Sequence, residues 1–218
     1  MTTLARLGVL VSGEGSNLQA LLDAVANGSL AADVRVVISN KPNVRALERA
    51  ERAGVEAVCI PHREFATREQ FDHAVVSELR ARAVDWVVFA GFMRLVTDVL
   101  LDAYAMRILN LHPSLLPAFP GVDAVRQALA YGSKVTGCTV HLVTRDMDSG
   151  PIVAQAAVPI AEGEHEDSLL RRVHEAEHRL LVEAVRAACE GRLEVVAGAQ
   201  QRPRVVVHPR ETDERSPL

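Results

Sequence analysis

Short apolar runs alternate with longer segments of helical period along most of this 218-residue chain. Strands are predicted where β-branched residues and leucines cluster, and helices where apolar residues recur every three or four positions. The predicted strands are Arg6–Val11, Val34–Ile38, Val55–Ile60, Trp86–Ala90, Arg107–Leu111, Thr136–Val143, Ile152–Ile160 and Leu193–Val196. The predicted helices are Ser16–Ala26, Val44–Ala53, Arg68–Arg82, Thr97–Ala103 and Asp167–Ala188.

The order of these elements predicts the fold class. Alternation of strands and helices in the first half indicates an α/β protein with a doubly wound, mostly parallel sheet and helices on both faces. Thr136–Val143 and Ile152–Ile160 form a later strand pair, which the long helix Asp167–Ala188 follows. A single domain is expected over residues 1–196, with residues 197–218 forming a partly ordered tail that is poorly ordered from about Pro209.

Composition narrows the classes of partner. The formal net charge is −4, whereas a nucleic-acid-binding protein usually carries an excess of basic residues. Met1–Gly8 has no signal-peptide pattern and no apolar run is long enough to span a bilayer, so a cytoplasmic protein without a membrane partner is expected. Cys59, Cys138 and Cys189 are odd in number and widely spaced, which favours neither a disulfide framework nor a cysteine zinc site.

A glycine-containing loop, Ser12–Asn17, follows the first predicted strand and opens the first helix. Free backbone amides at a helix start favour an anion such as phosphate. Ser16 or Asn17 could equally serve only as a helix cap. The loop is not a complete dinucleotide fingerprint, because Leu18 stands where the third glycine would be, and it lacks the Gly-Lys-Ser/Thr of a Walker A loop.

Two polar segments carry the strongest candidate chemistry. The string from Asn110 to Pro117, NLHPSLLP, follows a predicted strand, and a second polar loop runs from Asp146 to Pro151. Acyl transfer to an amine requires a donor for the developing oxyanion and an acid/base group for proton movement. Asn110, His112 and Asp148 can supply these roles without a covalent intermediate, although His112 alone could be a structural histidine before a proline turn.

These residues, together with HPSLLP, resemble the catalytic set of the folate-dependent formyltransferases. Within that family, SGEGSNLQA (12–20), SNKP (39–42), AGFMRL (90–95), VTGCTVHLV (135–143) and DSGPIVAQ (148–155) resemble the phosphoribosylglycinamide formyltransferases. The resemblance extends from about Gly8 to Arg192. It implies a Rossmann-like, mononucleotide-binding half over about residues 1–105 and a folate-binding, catalytic half over about residues 106–196.

The resemblance also implies an activity, transfer of the formyl group of 10-formyltetrahydrofolate to the amine of glycinamide ribonucleotide in purine biosynthesis, with no metal and no ATP. It implies phosphate binding at Gly15, Ser16 and Asn17, and ribose and glycinamide contacts from His174 and Glu177. It implies folate binding by Arg68, Phe92, Met93, Arg94, Leu95, Val96, Val143, Thr144 and Arg145. It further implies a cis Leu116–Pro117 peptide, support of the Asp148 loop by His141, and a monomer or homodimer.

Some of these positions have plainer interpretations. His141 could be a core histidine, Phe92 and Met93 ordinary core residues at a strand exit, and Arg68 a solvated helix residue. The chain also departs from the family pattern. Ala118-Phe119 stands before Pro120-Gly121, where relatives often have a basic residue, and position 174 is His where Gln is common.

Four other functions are weighed against this one. His174-Glu175-Ala176-Glu177-His178 matches the H-E-x-x-H pattern of zinc peptidases, although no third ligand follows at a suitable spacing. A non-catalytic nucleotide-binding domain could share the fold. Formyltetrahydrofolate hydrolases share the Asn/His/Asp set but usually add an N-terminal regulatory domain, and transfer-RNA formyltransferases add a C-terminal domain.

Overall fold

A computed structural model describes residues 4–198 and 202–210 of the protein. The strands are β1 Ala5–Val11, β2 Ala32–Ser39, β3 Ala57–Cys59, β4 Trp86–Phe89, β5 Ile108–His112, β6 Val135–Leu142, β7 Ile152–Pro159, β8 Leu193–Ala197 and β9 Pro203–Val207. The helices are α1 Ser16–Ala26, α2 Arg45–Arg52, α3 Arg68–Ala81, α4 Asp98–Ala103, α5 Ala124–Tyr131 and α6 Glu166–Cys189. A short 3-10 helix covers His62–Glu64.

The central sheet has seven strands in the order β3-β2-β1-β4-β5-β6-β7. Strands β1 to β5 pair in parallel, whereas β6 runs antiparallel to both β5 and β7. The chain builds outward from β1 to β3 and then crosses back to place β4 on the other side of β1. Ligands in open α/β sheets bind at such a reversal, next to the carboxyl ends of the strands. Ser12 follows β1 and Gly91 lies just beyond β4, so both border this crevice.

Helices cover both faces of the sheet, which confirms the doubly wound architecture. Helices α1, α2 and α6 pack on one face, where Val9 of β1 and Leu181 of α6 belong to the same buried cluster. Helices α3 and α4 pack on the other face, where Leu10 joins Phe71 in a second cluster. Val9 and Leu10 enter different cores because successive strand residues project to opposite faces. The continuous apolar run from Leu7 to Val11 in β1 is therefore what a strand buried on both faces requires.

Three described elements were not predicted from the sequence: helix α5, strand β9 and the short 3-10 helix. Helix α5 lies between the proline-rich turn and β6, and it ends at Gly132 with a φ of 79°. Strand β9 pairs antiparallel with β8 and so extends regular structure into the predicted tail. Residues 199–201 and 211–218 of that tail lie outside the described residues, as do residues 1–3 of the Met1–Gly8 segment. No helix in the described ranges combines the length and apolar character that a membrane crossing requires.

Candidate active site

Strands β5 and β6 bring three polar side chains to one face of the sheet. Asn110 and His112 are two positions apart on β5 and therefore project to the same side. His141 lies directly opposite Asn110 in the antiparallel ladder. The sequence prediction placed His112 in the turn after the strand, but β5 continues through His112 because the ladder extends to the His112–Thr139 pair.

Asp148 reaches these side chains from the loop between β6 and β7. Its Oδ2 lies 3.4 Å from Nδ1 of His112, and its Oδ1 lies 3.8 Å from Nε2 of His141. The backbone N–H of Gly121 donates to Asp148 Oδ2 at 2.8 Å. Two residues further on, a Cβ on Gly150 would lie 1.7 Å from the Leu142 carbonyl oxygen, so only glycine allows the loop this path. The structure thus brings Asn110, His112 and Asp148 together.

The contacts of His141 determine its tautomer. Its Nδ1 lies 3.0 Å from the Leu142 carbonyl oxygen, which can only accept, so Nδ1 carries the proton. Its Nε2 then accepts from Nδ2 of Asn110 at 3.0 Å. Burial lowers the pKa of His141, which favours this neutral ring. His141 therefore fixes the orientation of the Asn110 amide. The second N–H of that amide can donate to another acceptor.

Both ring nitrogens of His112 lie near acceptors. Nε2 lies 2.9 Å from the carbonyl oxygen of Phe119 and therefore donates to it. A second proton on Nδ1 would complete an ion pair with Asp148 Oδ2. His112 is buried, so a charged ring here would act through a medium less polar than water. The arrangement is suited to holding positive charge beside the Asn110 amide.

The turn after His112 is held by the polar side chains of Thr139 and Gln155, which the sequence reasoning did not single out. Thr139 Oγ1 donates to the Ser114 carbonyl at 2.7 Å and accepts from the Leu116 N–H at 3.1 Å. Nε2 of Gln155 on β7 contacts Leu116 O at 2.9 Å and Thr139 Oγ1 at 3.0 Å. The Leu116–Pro117 peptide is cis, as the resemblance implied. The available signal was Thr139, a polar residue between the apolar strand residues Cys138 and Val140.

The glycine loop is shaped by close contact with α2. Gly15 has a φ of 75°, and a Cβ there would lie 2.7 Å from that of Ala46. Gly15 is itself the N-cap of α1, and within the described part of the chain no side chain makes a capping hydrogen bond there. The capping interpretation of Ser16 and Asn17 is therefore wrong, and the first amides of α1 are left for another acceptor.

Asn17 connects the glycine loop to the long helix. Its Nδ2 donates to Oε2 of Glu177 on α6 at 3.2 Å, and its buried Oδ1 has no partner among the described residues. Burial raises the pKa of Glu177 to about 7. His174 is more exposed, and its Nε2 lies 4.0 Å from the same carboxyl oxygen. Asn17, His174 and Glu177 thus form one polar cluster.

Replacing Glu177 tests this burial directly. A carboxyl whose pKa is raised on folding binds a proton more tightly in the folded state, so its contribution to stability is complete below the unfolded pKa and is lost as the pH rises through 7. Relative to Glu177→Gln, the wild type should lose on the order of 3 kcal/mol of unfolding free energy between pH 4.5 and pH 8. Urea unfolding of both proteins measures this difference. Glu175→Gln, an exposed change on the same helix, should show no such pH-dependent difference.

The residues predicted to bind folate lie in different environments. Met93 and Leu95 are 72% and 56% exposed, whereas Phe92 is 7% exposed and stacks within the core beside Phe71 and Phe89. The Arg94 guanidinium lies 4.9 Å from the Phe71 ring centroid. Val96 and Val143 are partly buried against the same core.

The remaining predicted folate residues are surface positions. Arg145 Nε donates to Asp98 Oδ1 at 2.7 Å, and Thr144 Oγ1 lies 3.5 Å from the Asp146 carbonyl oxygen. Arg68 is exposed at the first position of α3. The structure therefore brings the loop 91–96 and the start of the Asp148 loop to the same core through Val96 and Val143, while Arg68 lies on the surface of α3.

The H-E-x-x-H pattern lies on α6 with its glutamate, Glu175, exposed. Among residues 4–198 and 202–210, no three His, Cys, Asp or Glu side chains are grouped so that they could hold a metal ion. The buried carboxylate of this segment is Glu177, which bonds to Asn17.

Comparisons with known proteins agree in both sequence and structure. A family model described as Formyl transferase matches residues 5–185. Phosphoribosylglycinamide formyltransferase of Escherichia coli (strain K12) is 42% identical over 187 residues, covering 86% of this chain and 88% of that protein. The crystal structure of glycinamide ribonucleotide transformylase 1 from Symbiobacterium toebii superposes with a TM-score of 0.89 at 49% identity, covering 94% of each chain.

Longer relatives match over only part of their length. The trifunctional purine biosynthetic protein adenosine-3 of Drosophila melanogaster is 48% identical over 175 residues, and that of Homo sapiens is 42% identical over 191 residues. This chain spans 13% and 19% of those two proteins, respectively. Because the family model covers most of the chain and the fold matches, the chain belongs to the formyl transferase family.

Proposed function

We propose that this chain transfers the formyl group of 10-formyltetrahydrofolate to the amine of glycinamide ribonucleotide, as a step of purine biosynthesis. The convergence of Asn110, His112 and Asp148 from separate parts of the chain carries the proposal. The names of the relatives supply the substrate. A nucleotide-binding domain without catalytic activity would not require the cluster of Asn110, His112 and Asp148.

The proposed reaction passes through a tetrahedral intermediate. The amine nitrogen attacks the formyl carbon and forms the new C–N bond, and the free N–H of Asn110 together with the charge of protonated His112 stabilises the oxyanion. The bond from the formyl carbon to N10 of folate then breaks. The proton lost by the amine passes to N10 through a water molecule organised by Asp148, so that tetrahydrofolate and formylglycinamide ribonucleotide are released.

The nucleotide substrate occupies the crevice beside β1 in this proposal. Its phosphate accepts from the uncapped amides at Gly15, Ser16 and Asn17, where the helix dipole also favours an anion. Glu177 and His174 hold the ribose and the glycinamide end. The unpartnered Oδ1 of Asn17 supplies an acceptor for a hydroxyl or amine of the substrate.

The folate co-substrate lies between the loop that follows β4 and the start of the Asp148 loop. Exposed Met93 and Leu95 offer apolar surface for the pterin, and Arg68 attracts the glutamate end. The proposed transfer uses neither a metal nor ATP, because the formyl group is already activated on N10. We also propose small molecules as the only partners, without nucleic acid or membrane, for a cytoplasmic monomer or homodimer.

The formyl group can be followed from donor to product. With 10-formyltetrahydrofolate carrying a ¹³C-labelled formyl carbon, the label should appear on the amine nitrogen of glycinamide ribonucleotide in a 1:1 ratio to tetrahydrofolate, a ratio fixed by the proposed stoichiometry. NMR detects the label and absorbance follows the folate. Deformylation that proceeds equally fast without the amine, with the label recovered as formate, would instead identify a hydrolase.

A further inference from the structure

Ser12 lies at the carboxyl end of β1, between the two strands that flank the crevice. It is 5% exposed and immediately precedes the glycine loop. Strand β1 is hydrogen-bonded to β2 on one side and to β4 on the other. Ser12 can therefore contact the segments that follow both neighbouring strands.

The hydroxyl of Ser12 makes one hydrogen bond to each side. It accepts from the backbone N–H of Met93 at 2.8 Å and donates to Oδ1 of Asn40 at 2.6 Å. Asn40 is 2% exposed and also contacts Nδ1 of His62. The Met93 amide thus donates to the Ser12 hydroxyl, which donates in turn to the side-chain oxygen of Asn40. Consecutive hydrogen bonds of this kind strengthen one another.

Met93 belongs to the loop that carries most of the predicted folate residues. At the far end of this loop, Thr97 donates from its backbone N–H and its hydroxyl to the buried carboxylate of Asp72, at 2.6 and 2.8 Å. Within the loop 91–96, Met93 is the residue whose backbone N–H has a hydrogen-bond acceptor among the described residues. Besides the packing of Phe92 and Val96, the loop backbone is thus held by hydrogen bonds at two points, and the one nearer the crevice depends on the Ser12 hydroxyl.

We propose that Ser12 is a positioning residue for the folate pocket, supplied by the strand that leads into the phosphate loop. Without its hydroxyl the Met93 amide lacks an acceptor, and the exposed side chains of Met93 and Leu95 lose their fixed position. The inference rests on the proposed function, since it assigns folate to the 91–96 loop. The hydroxyl does not itself contact either substrate.

Ser12→Ala tests this role when both ligands are measured separately. Isothermal titration with 5,8-dideazafolate should show a Kd raised about tenfold, the size expected when one amide loses its hydrogen bond. The Kd for glycinamide ribonucleotide should change by less than about twofold, because the glycine-loop amides are unaltered. Ser12→Thr keeps the Oγ atom and should restore folate binding to within about threefold of the wild type.

Ser39→Ala is the matched control. Ser39 is also buried, at the end of a neighbouring strand, but among the described residues its hydroxyl bonds to the Lys41 backbone alone. A similar loss of thermal stability with unchanged folate affinity is expected there. If Ser12→Ala does not fold, Asn40→Ala removes the acceptor of the hydroxyl proton and should still weaken folate binding about threefold.

The outcomes separate the inference from the function on which it rests. Unchanged folate affinity in Ser12→Ala, or an equal weakening in Ser39→Ala, overturns the positioning role while the function stands. A parallel loss of affinity for glycinamide ribonucleotide would assign Ser12 to the phosphate loop instead and would equally overturn it. A wild-type protein that binds neither ligand would overturn the proposed function itself.

Discussion

Asp148→Asn is expected to lower kcat by about 10²–10⁴ while leaving the fold intact. The carboxylate lies 3.4 Å from His112 Nδ1 and accepts from the Gly121 N–H. An amide of the same size can replace that acceptor, but it lacks the negative charge that faces His112 Nδ1. Asp148 has a φ of 51°, a conformation that asparagine tolerates well, so the substitution should introduce little backbone strain.

Asp123→Asn provides a control of the same chemistry. Asp123 is exposed, lies in the neighbouring loop before α5 and has a φ of 57°. The kcat of Asp123→Asn should match that of the wild type within about twofold, as expected for a surface change. Steady-state rates at saturating concentrations of both substrates, with circular dichroism of each variant, make the comparison. Near-normal kcat in Asp148→Asn would contradict the proposed roles of Asp148 and His112.

Asn110→Ala is expected to lower kcat by about 10²–10³, the usual effect of removing one oxyanion donor. The amide is already oriented by His141, so its second N–H is available without reorganisation. Since the oxyanion exists only in the transition state, kcat should fall while the KM values for both substrates change little.

Asn110→Asp distinguishes a donor from a space-filling residue at the same position. The carboxylate has nearly the size of the amide, but it offers an acceptor and a negative charge where a donor is required. Its kcat should be at least as low as that of Asn110→Ala. An Asn110→Asp enzyme with substantial activity, or an Asn110→Ala enzyme whose KM values rise while kcat is retained, would show that Asn110 acts in substrate binding rather than on the oxyanion.

The architecture was predictable because its signals are local. Continuous apolar runs such as that of β1 and the helical period of α3 are written in the sequence, and their alternation determines a doubly wound sheet. Strand β9 was missed because Pro203 and Arg204 obscure its run of three valines. Helix α5 was missed because it has no side-chain cap, although Gly132 marks its end.

The details of the candidate site depend on tertiary contacts that no local pattern encodes. The orientation of the Asn110 amide follows from its alignment with His141, which lies 31 residues away in sequence on the neighbouring strand. The bond from Met93 to Ser12 joins residues 81 positions apart, and the position of Asp148 depends on the Gly121 amide. The resemblance to a known family identifies the residues of the site. The structure adds which atoms face one another.

A ternary crystal structure with glycinamide ribonucleotide and 5,8-dideazafolate tests the central claim most directly. The account predicts the phosphate on the amides of Gly15, Ser16 and Asn17, and the substrate amine and folate N10 flanking a point about 3 Å from Asn110 Nδ2. Asp148 should remain beside His112. A folate bound away from the 91–96 loop, or Asp148 turned away from His112 with both ligands in place, would contradict the account.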